Sequence, residues 1–427
     1  MRDFHQPNRS LVYGSKAMVA TSHPLASLVA LDMLKAGGNA VDAAIAAAVL
    51  LGICEPQSTG IGGDMFALVK PAGGERIVGL NASGRAPAGL DPERMRAEGL
   101  RQIAPGDGRS VTVPGAIDGF VRLSEDHGRL GLERVLAPAI DHAERGVPVA
   151  PRVAFDWREA QGTLRGAARE LFLDGGKPPA EGALFRAPKQ AVLLRRIATE
   201  GRSAFYEGAA AADMVAALRA AGGDHVEADF AAQTSDYVEP IRGGYRGAEL
   251  IELPPNGQGA TALLLAAILE PFDLSGLDPL GAARVHLEAE AAKLSYDARN
   301  RFVADPAAAN EAVARMTDTG LAERLAALID PDRALPDPAK AAGAAHKDTV
   351  YLCVVDDDGM AVSLIYSTFQ SFGSGIAAPE TGVLFHNRGS GFCLEPGHPN
   401  EAGPVSYTHL RAHETYLLIS YAVFCLK

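Results

Sequence analysis

Asp348-Thr349-Val350-Tyr351-Leu352-Cys353-Val354-Val355-Asp356 is the stretch on which the fold and the chemistry of this 427-residue chain turn. Val350 to Val355 is a continuous apolar run, the pattern of a strand covered on both faces, which belongs inside a layered sandwich and not on an edge. The residues before it, 303–348, are rich in Ala, Pro and Asp and carry no order signal. They predict a mobile, exposed segment. A threonine at such a junction is placed to become a new chain terminus. Its hydroxyl is a poor nucleophile without a neighbouring base, and cutting the chain just ahead of it provides one, its own α-amine. The stretch therefore predicts a self-cleaving amidohydrolase.

Outward from the strand, Asp356-Asp357-Asp358-Gly359 reads as a hairpin turn and Ala361 to Thr368 as the returning strand. Near the start of the chain, Met18 to Ala30 reads as a short strand turning into a helix that ends at Lys35-Ala36-Gly37-Gly38. Asn39 then caps a second helix through Cys54, whose alanine density permits close packing. Glu55 to Asp64 breaks that helix, and Met65–Val69 with Ile77–Leu80 read as paired core strands. From there to about Arg301 the chain reads mostly as alanine-rich helix with Gly/Pro turns.

The balance of 40 basic against 52 acidic residues gives a net charge of −12. That charge repels nucleic acid and anionic membrane, so neither is expected as a partner and a small molecule is. The longest apolar run, Ala43 to Cys54, is well short of the roughly 20 residues that span a bilayer. Met1-Arg2-Asp3-Phe4-His5-Gln6-Pro7 has no apolar block behind a basic one, which predicts a cytoplasmic protein. Cys54, Cys353 and Cys393 lack paired spacing and read as reduced core thiols. His23, His286 and His346 lack ligand spacing, and no metal or cofactor is expected. Gly60-Ile61-Gly62-Gly63 matches neither a phosphate loop nor a dinucleotide fingerprint and reads as a tight packing loop. Glu288 to Tyr296 reads as a helix with a solvated, ion-paired face.

Five motifs in order carry a resemblance: Gly37-Gly38-Asn39-Ala40-Val41-Asp42-Ala43-Ala44, Pro56-Gln57-Ser58-Thr59-Gly60-Ile61-Gly62-Gly63-Asp64, Val113-Pro114-Gly115, Pro254-Pro255-Asn256-Gly257-Gln258-Gly259 and Phe372-Gly373-Ser374-Gly375-Ile376. From about residue 15 to about residue 404 the chain resembles the γ-glutamyltranspeptidase family of N-terminal nucleophile hydrolases. The resemblance implies an α/β (α+β) fold, the four-layer αββα sandwich, and a precursor that cleaves itself between Asp348 and Thr349. Residues 1–348 would form the large subunit and 349–404 the start of the small one. Thr349 corresponds to the nucleophile and Ser367 to the hydroxyl that orients it. A freed α-amine has a pKa of about 7.7 to 8.0, close to ideal for a base near neutral pH. Holding amine and hydroxyl on one residue also fixes their geometry.

The substrate pocket departs from the classical members. Ser83, in Asn81-Ala82-Ser83-Gly84-Arg85-Ala86-Pro87, stands where they carry the arginine that clamps the glutamyl α-carboxylate. In Asn387-Arg388-Gly389-Ser390-Gly391-Phe392, Gly391 replaces the acidic residue that holds the α-amino group. Arg85 and Arg388 remain as groups able to hold a carboxylate bidentately. The candidate substrate-binding set is Ser83, Arg85, Asn387, Arg388 and Ser390. It implies a small amide substrate with a carboxylate and no required α-ammonium, as in the oxamate-amidohydrolase-like branch related to glutaryl-cleaving acylases; glutathione hydrolysis is the alternative.

From about Val405 the sequence reads as adapter- or cloning-derived and foreign to the fold, so 405–427 is set aside from the site. The family's oxyanion-hole glycines would lie beyond that point, and the resulting expectation is a chain that folds poorly or stays unprocessed. A non-catalytic relative that keeps the sandwich as a binding or assembly module is the competing reading.

Overall fold

The computed structural model describes residues 12–306, 313–335, 349–407 and 424–426. In chain order its strands are β1 (Met18–Ala20), β2 (Asp64–Lys70), β3 (Val78–Ala82), β4 (Val147–Pro148), β5 (Leu184–Phe185), β6 (Asp236–Val238), β7 (Ile241–Tyr245), β8 (Ala248–Glu252), β9 (Val350–Val355), β10 (Ala361–Ser367) and β11 (Phe424–Leu426). Six form one antiparallel sheet in the order β1-β9-β10-β2-β3-β6. The quoted run is thus an interior strand, as its two apolar faces require.

Alternation sorts the side chains of this sheet into two layers. Val350, Leu352 and Val354 of β9, Val362, Leu364 and Tyr366 of β10, and Met65, Ala67 and Val69 of β2 enter the main core. Helices α1 (Pro24–Lys35) and α2 (Ala40–Cys54) cover that face together with helix Ala116–His127, and helix Leu132–Arg145 packs against α2. Every residue of α2 is buried. Its six alanines, read from the helix sequence AVDAAIAAAVLLGIC, let backbone approach backbone on both sides. Asn39 and Asp42 close a capping box at its start, and Asp356 of the hairpin turn accepts the Ala40 amide at 2.9 Å. The chain turn after β9 is thereby tied to the helix beneath it.

On the other face, Phe66, Leu68, Tyr351 and Ile365 pack against Ile251 and Leu253. These belong to a second antiparallel sheet, β11-β8-β7, whose outer face carries helices Gly259–Leu269 and Ala282–Phe302. The order helix, sheet, sheet, helix is the expected four-layer αββα sandwich.

Two expectations are corrected. The stretch read as mostly helix up to Arg301 contains the β6–β8 strands that build the second sheet. Their signal was present in Arg246-Gly247, whose φ values of 51° and 79° make the mirror-image two-residue turn that hairpins favour. Residues 303–348, expected to be mobile, are partly folded: Thr319–Ala326 is helical, and Val303, Met316, Ala322, Ala326 and Ile329 are buried in one cluster. An Ala/Pro/Asp-rich composition hid an apolar stripe at helical spacing. The remainder, 307–312 and 336–348 with His346 and Asp348, lies outside the described residues, as do 408–423. The Glu288–Tyr296 helix forms, but its face is less solvated than expected, because Glu290 is buried and accepts the Leu335 amide at 2.9 Å.

Candidate active site

Register decides which side chains meet. Tyr366 of β10 pairs with Val350, and Ser367 pairs with Asp64 of β2. One residue beyond Val350, Thr349 therefore emerges on the same face and at the same end of the sheet as Ser367. Thr349 is exposed, and its Oγ1 lies 3.1 Å from Ser367 Oγ. Ser367 Oγ also accepts the Phe369 amide at 2.8 Å. Thr349 and Ser367, the expected nucleophile and orienting hydroxyl, are within hydrogen-bond reach.

The loop Glu55–Gly63 holds this strand end in place. A Cβ on Gly63 would stand 2.4 Å from the Ser367 carbonyl oxygen, and one on Gly62 2.2 Å from that of Leu384. Only glycine permits backbone to come so close. The loop is a packing device, as expected, and it packs against the end of β10.

The substrate-binding candidates divide. Ser83 is fully buried, donates to Asn81 Oδ1 at 2.7 Å and accepts from Asn256 Nδ2 at 3.1 Å. Asn81 also donates to Asn256 Oδ1 at 2.8 Å, closing a three-residue amide and hydroxyl network. Asn387 is buried and donates to Gln370 Oε1 at 2.8 Å. Arg388, only 4% exposed, forms a two-pronged ion pair with Asp64, with Nη2 to Oδ1 at 2.5 Å and Nε to Oδ2. These three side chains, expected to face substrate, are instead turned onto protein partners, because each is buried and a buried polar group must find one. Ser390 is half-buried and donates to the Asn387 carbonyl at 2.8 Å.

Arg85 differs. Its side chain is 38% exposed, pairs with Asp236 at 3.2 Å and lies over the Tyr407 ring at 4.7 Å. Tyr407 in turn donates to Asp236 at 2.8 Å, and burial pushes its phenol up to about 12. Arg85, Asn81, Asp236, Asp305 and Tyr407 line a groove of about 680 Å³. Ser406 and Tyr407 fall in the stretch set aside as foreign, yet Ser406 accepts the Ala86 amide at 2.9 Å and β11 pairs with β8. They contribute to the groove wall.

Beneath the site, His386 is fully buried, with Nε2 3.0 Å from the Thr112 carbonyl and Nδ1 accepting the Arg388 amide at 3.1 Å. Burial lowers its pKa to about 4, which fixes the neutral ring. The sequence reading passed over Asp64, Asn81, Asn256 and His386. All but His386 sit inside motifs it had quoted. Among the described residues no group of three or more His, Cys, Asp or Glu is arranged to hold a metal, and no helix is long and apolar enough to cross a membrane.

The description "Gamma-glutamyltranspeptidase" belongs to the family model that matches residues 26–413. The chain belongs to the γ-glutamyltranspeptidase family. Within this γ-glutamyltranspeptidase family it is 35% identical to the glutathione hydrolase-like YwrD proenzyme of Bacillus subtilis, over 94% of this chain and 76% of that protein. It is 34% identical to the oxamate amidohydrolase proenzyme of Klebsiella pneumoniae, over 89% and 72%. The crystal structure of cephalosporin acylase from Bacillus halodurans superposes with a TM-score of 0.86 at 36% identity, covering 96% of this chain and 76% of that one. All three names describe amide-bond enzymes and two say proenzyme, so the reading as a non-catalytic module is not retained.

Proposed function

We propose that the chain is a self-processing N-terminal threonine amidohydrolase. Thr349 attacks the preceding carbonyl, the acyl group shifts to its oxygen, and water releases the ester to leave Thr349 with a free amine. In turnover that amine takes the Thr349 hydroxyl proton while the oxygen attacks the substrate amide carbon. The same proton passes to the departing nitrogen, and water then hydrolyses the acyl-threonine ester. The observation that carries this reading is the 3.1 Å approach of Thr349 Oγ1 to Ser367 Oγ at the open end of two interior strands.

The proposed substrates are small amides bearing a carboxylate, of the oxamate, glutaryl or γ-glutamyl kind, with Arg85 and Ser390 as the contacts. Arg85 supports this because its guanidinium is partly exposed on a groove. The burial of Ser83, Asn387 and Arg388 supports reading them as the frame of the pocket. Glutathione hydrolysis is the second reading, favoured by the name of the B. subtilis relative. Among the described residues Cys54, Cys353 and Cys393 form no disulfide, which supports a reducing, cytoplasmic setting. The test is a kcat/KM comparison of oxamate, a glutaryl amide and glutathione with the full-length protein. Preference for either of the first two supports the pocket assignment, and preference for glutathione overturns it.

A further inference from the structure

The buried ion pair Asp64–Arg388 has no part in the chemistry above, yet Asp64 stands directly across from Ser367 in the β2–β10 register. A buried pair is weak support for stability, since desolvation offsets its attraction, so its presence beside a nucleophile needs another account. Arg388 also lies over the ring of Phe369, 4.9 Å from guanidinium carbon to ring centroid. Phe369 is the residue whose amide donates to Ser367 Oγ. It holds φ at +76°, in the left-handed region that a bulky residue keeps only where its surroundings enforce it. The residue before it is pinned at both backbone groups, with the Thr368 amide on the Ser58 carbonyl and the Asn387 amide on the Thr368 carbonyl, both at 3.3 Å. The ring of Phe369 is held by the guanidinium.

Resting on the reading of Thr349 as nucleophile, we propose that the Asp64–Arg388 pair is a positioning device. It clamps the Phe369 ring, keeps the Phe369 amide on Ser367 Oγ, and so turns the Ser367 hydroxyl hydrogen toward Thr349 Oγ1. The two-pronged contact fixes the plane of the guanidinium and therefore the ring beneath it, which a lysine ammonium does not do. The amide hydrogen occupies one lone pair of Ser367 Oγ. That restricts the rotor and leaves its hydrogen for the nucleophile.

The test is a double-mutant cycle in the full-length protein. Asp64→Asn and Arg388→Gln are introduced together, so that no lone buried charge remains, with and without Ser367→Ala. The readouts are the rate at which a Thr349 terminus appears, kcat and KM on an amide substrate, and the thermal midpoint. With Ser367 present, the paired change should slow processing and kcat about tenfold while KM moves less than about twofold. In the Ser367→Ala background the same change should cost less than about twofold. Equal losses in both backgrounds, or no loss in either, overturn the proposal. If the paired variant fails to fold, Phe369→Leu, which keeps an apolar side chain and loses the stacked ring, must show the same dependence on Ser367. An unaltered protein with no Thr349 terminus removes the functional reading and the proposal together; a normal terminus with equal losses removes the proposal alone.

Discussion

Gly63→Ala should disable the site without touching any group that reacts. The added Cβ would stand 2.4 Å from the Ser367 carbonyl oxygen and 2.9 Å from that of Gly60. Non-bonded heavy atoms settle at about 3.5 Å, so the loop and the end of β10 must part by about 1 Å. Ser367 moves with its own carbonyl, and its 3.1 Å contact with Thr349 is lost. Overpacking of this kind costs about 1–3 kcal/mol, which a domain stable by about 5–15 kcal/mol survives. Misplacement by about 1 Å costs about 100-fold in rate. The assay is intact-mass analysis of the full-length protein over time, following the pieces split at Thr349, with circular dichroism as the folding check. Gly60→Ala is the control, because its Cβ would meet nothing within 4 Å. Processing of Gly63→Ala within about twofold of the unaltered protein would refute the claim that this loop sets the Ser367 position.

Two further outcomes are expected. Arg85→Ala should raise KM for carboxylate-bearing amides about tenfold and leave kcat nearly unchanged, since it removes binding shared by ground and transition states; steady-state kinetics that show kcat falling instead would move Arg85 into the reacting machinery. His225 and His386 both have pKa values lowered to about 4 by burial, so the folded state stays neutral where the unfolded chain takes up protons. Their contribution is complete above about pH 6.5 and is lost as pH falls toward 4, at up to about 1.4 kcal/mol per pH unit for each. Urea unfolding at pH 7, 6 and 5 should show that decline, and His386→Gln should remove close to half of it.

The interior position of β9 was legible because a strand buried on both faces has no polar face to betray a wrong register, and the Asp356–Gly359 turn fixed its partner. Asn39 and Asp42 gave α2 its start from local chemistry alone. The second sheet was not legible in the same way. Ile241 to Glu252 is short, rich in glycine and charge, and becomes a strand pair because β8 packs on Phe66 and Leu68, residues remote in sequence. For the site, a motif located Thr349 and Ser367. Which polar side chains face substrate was beyond it. Ser83 and Arg388 look alike on paper to an exposed serine and arginine, and only tertiary contact reveals Asn81, Asn256 and Asp64 as their partners.

The most direct measurement is the amino terminus of the small fragment in purified full-length protein, by mass spectrometry and end-group sequencing. A new terminus at Thr349, absent from Thr349→Ala and regained at reduced rate in Thr349→Ser, is the predicted result. A chain uncut at that position that still hydrolyses its amide substrate would contradict it.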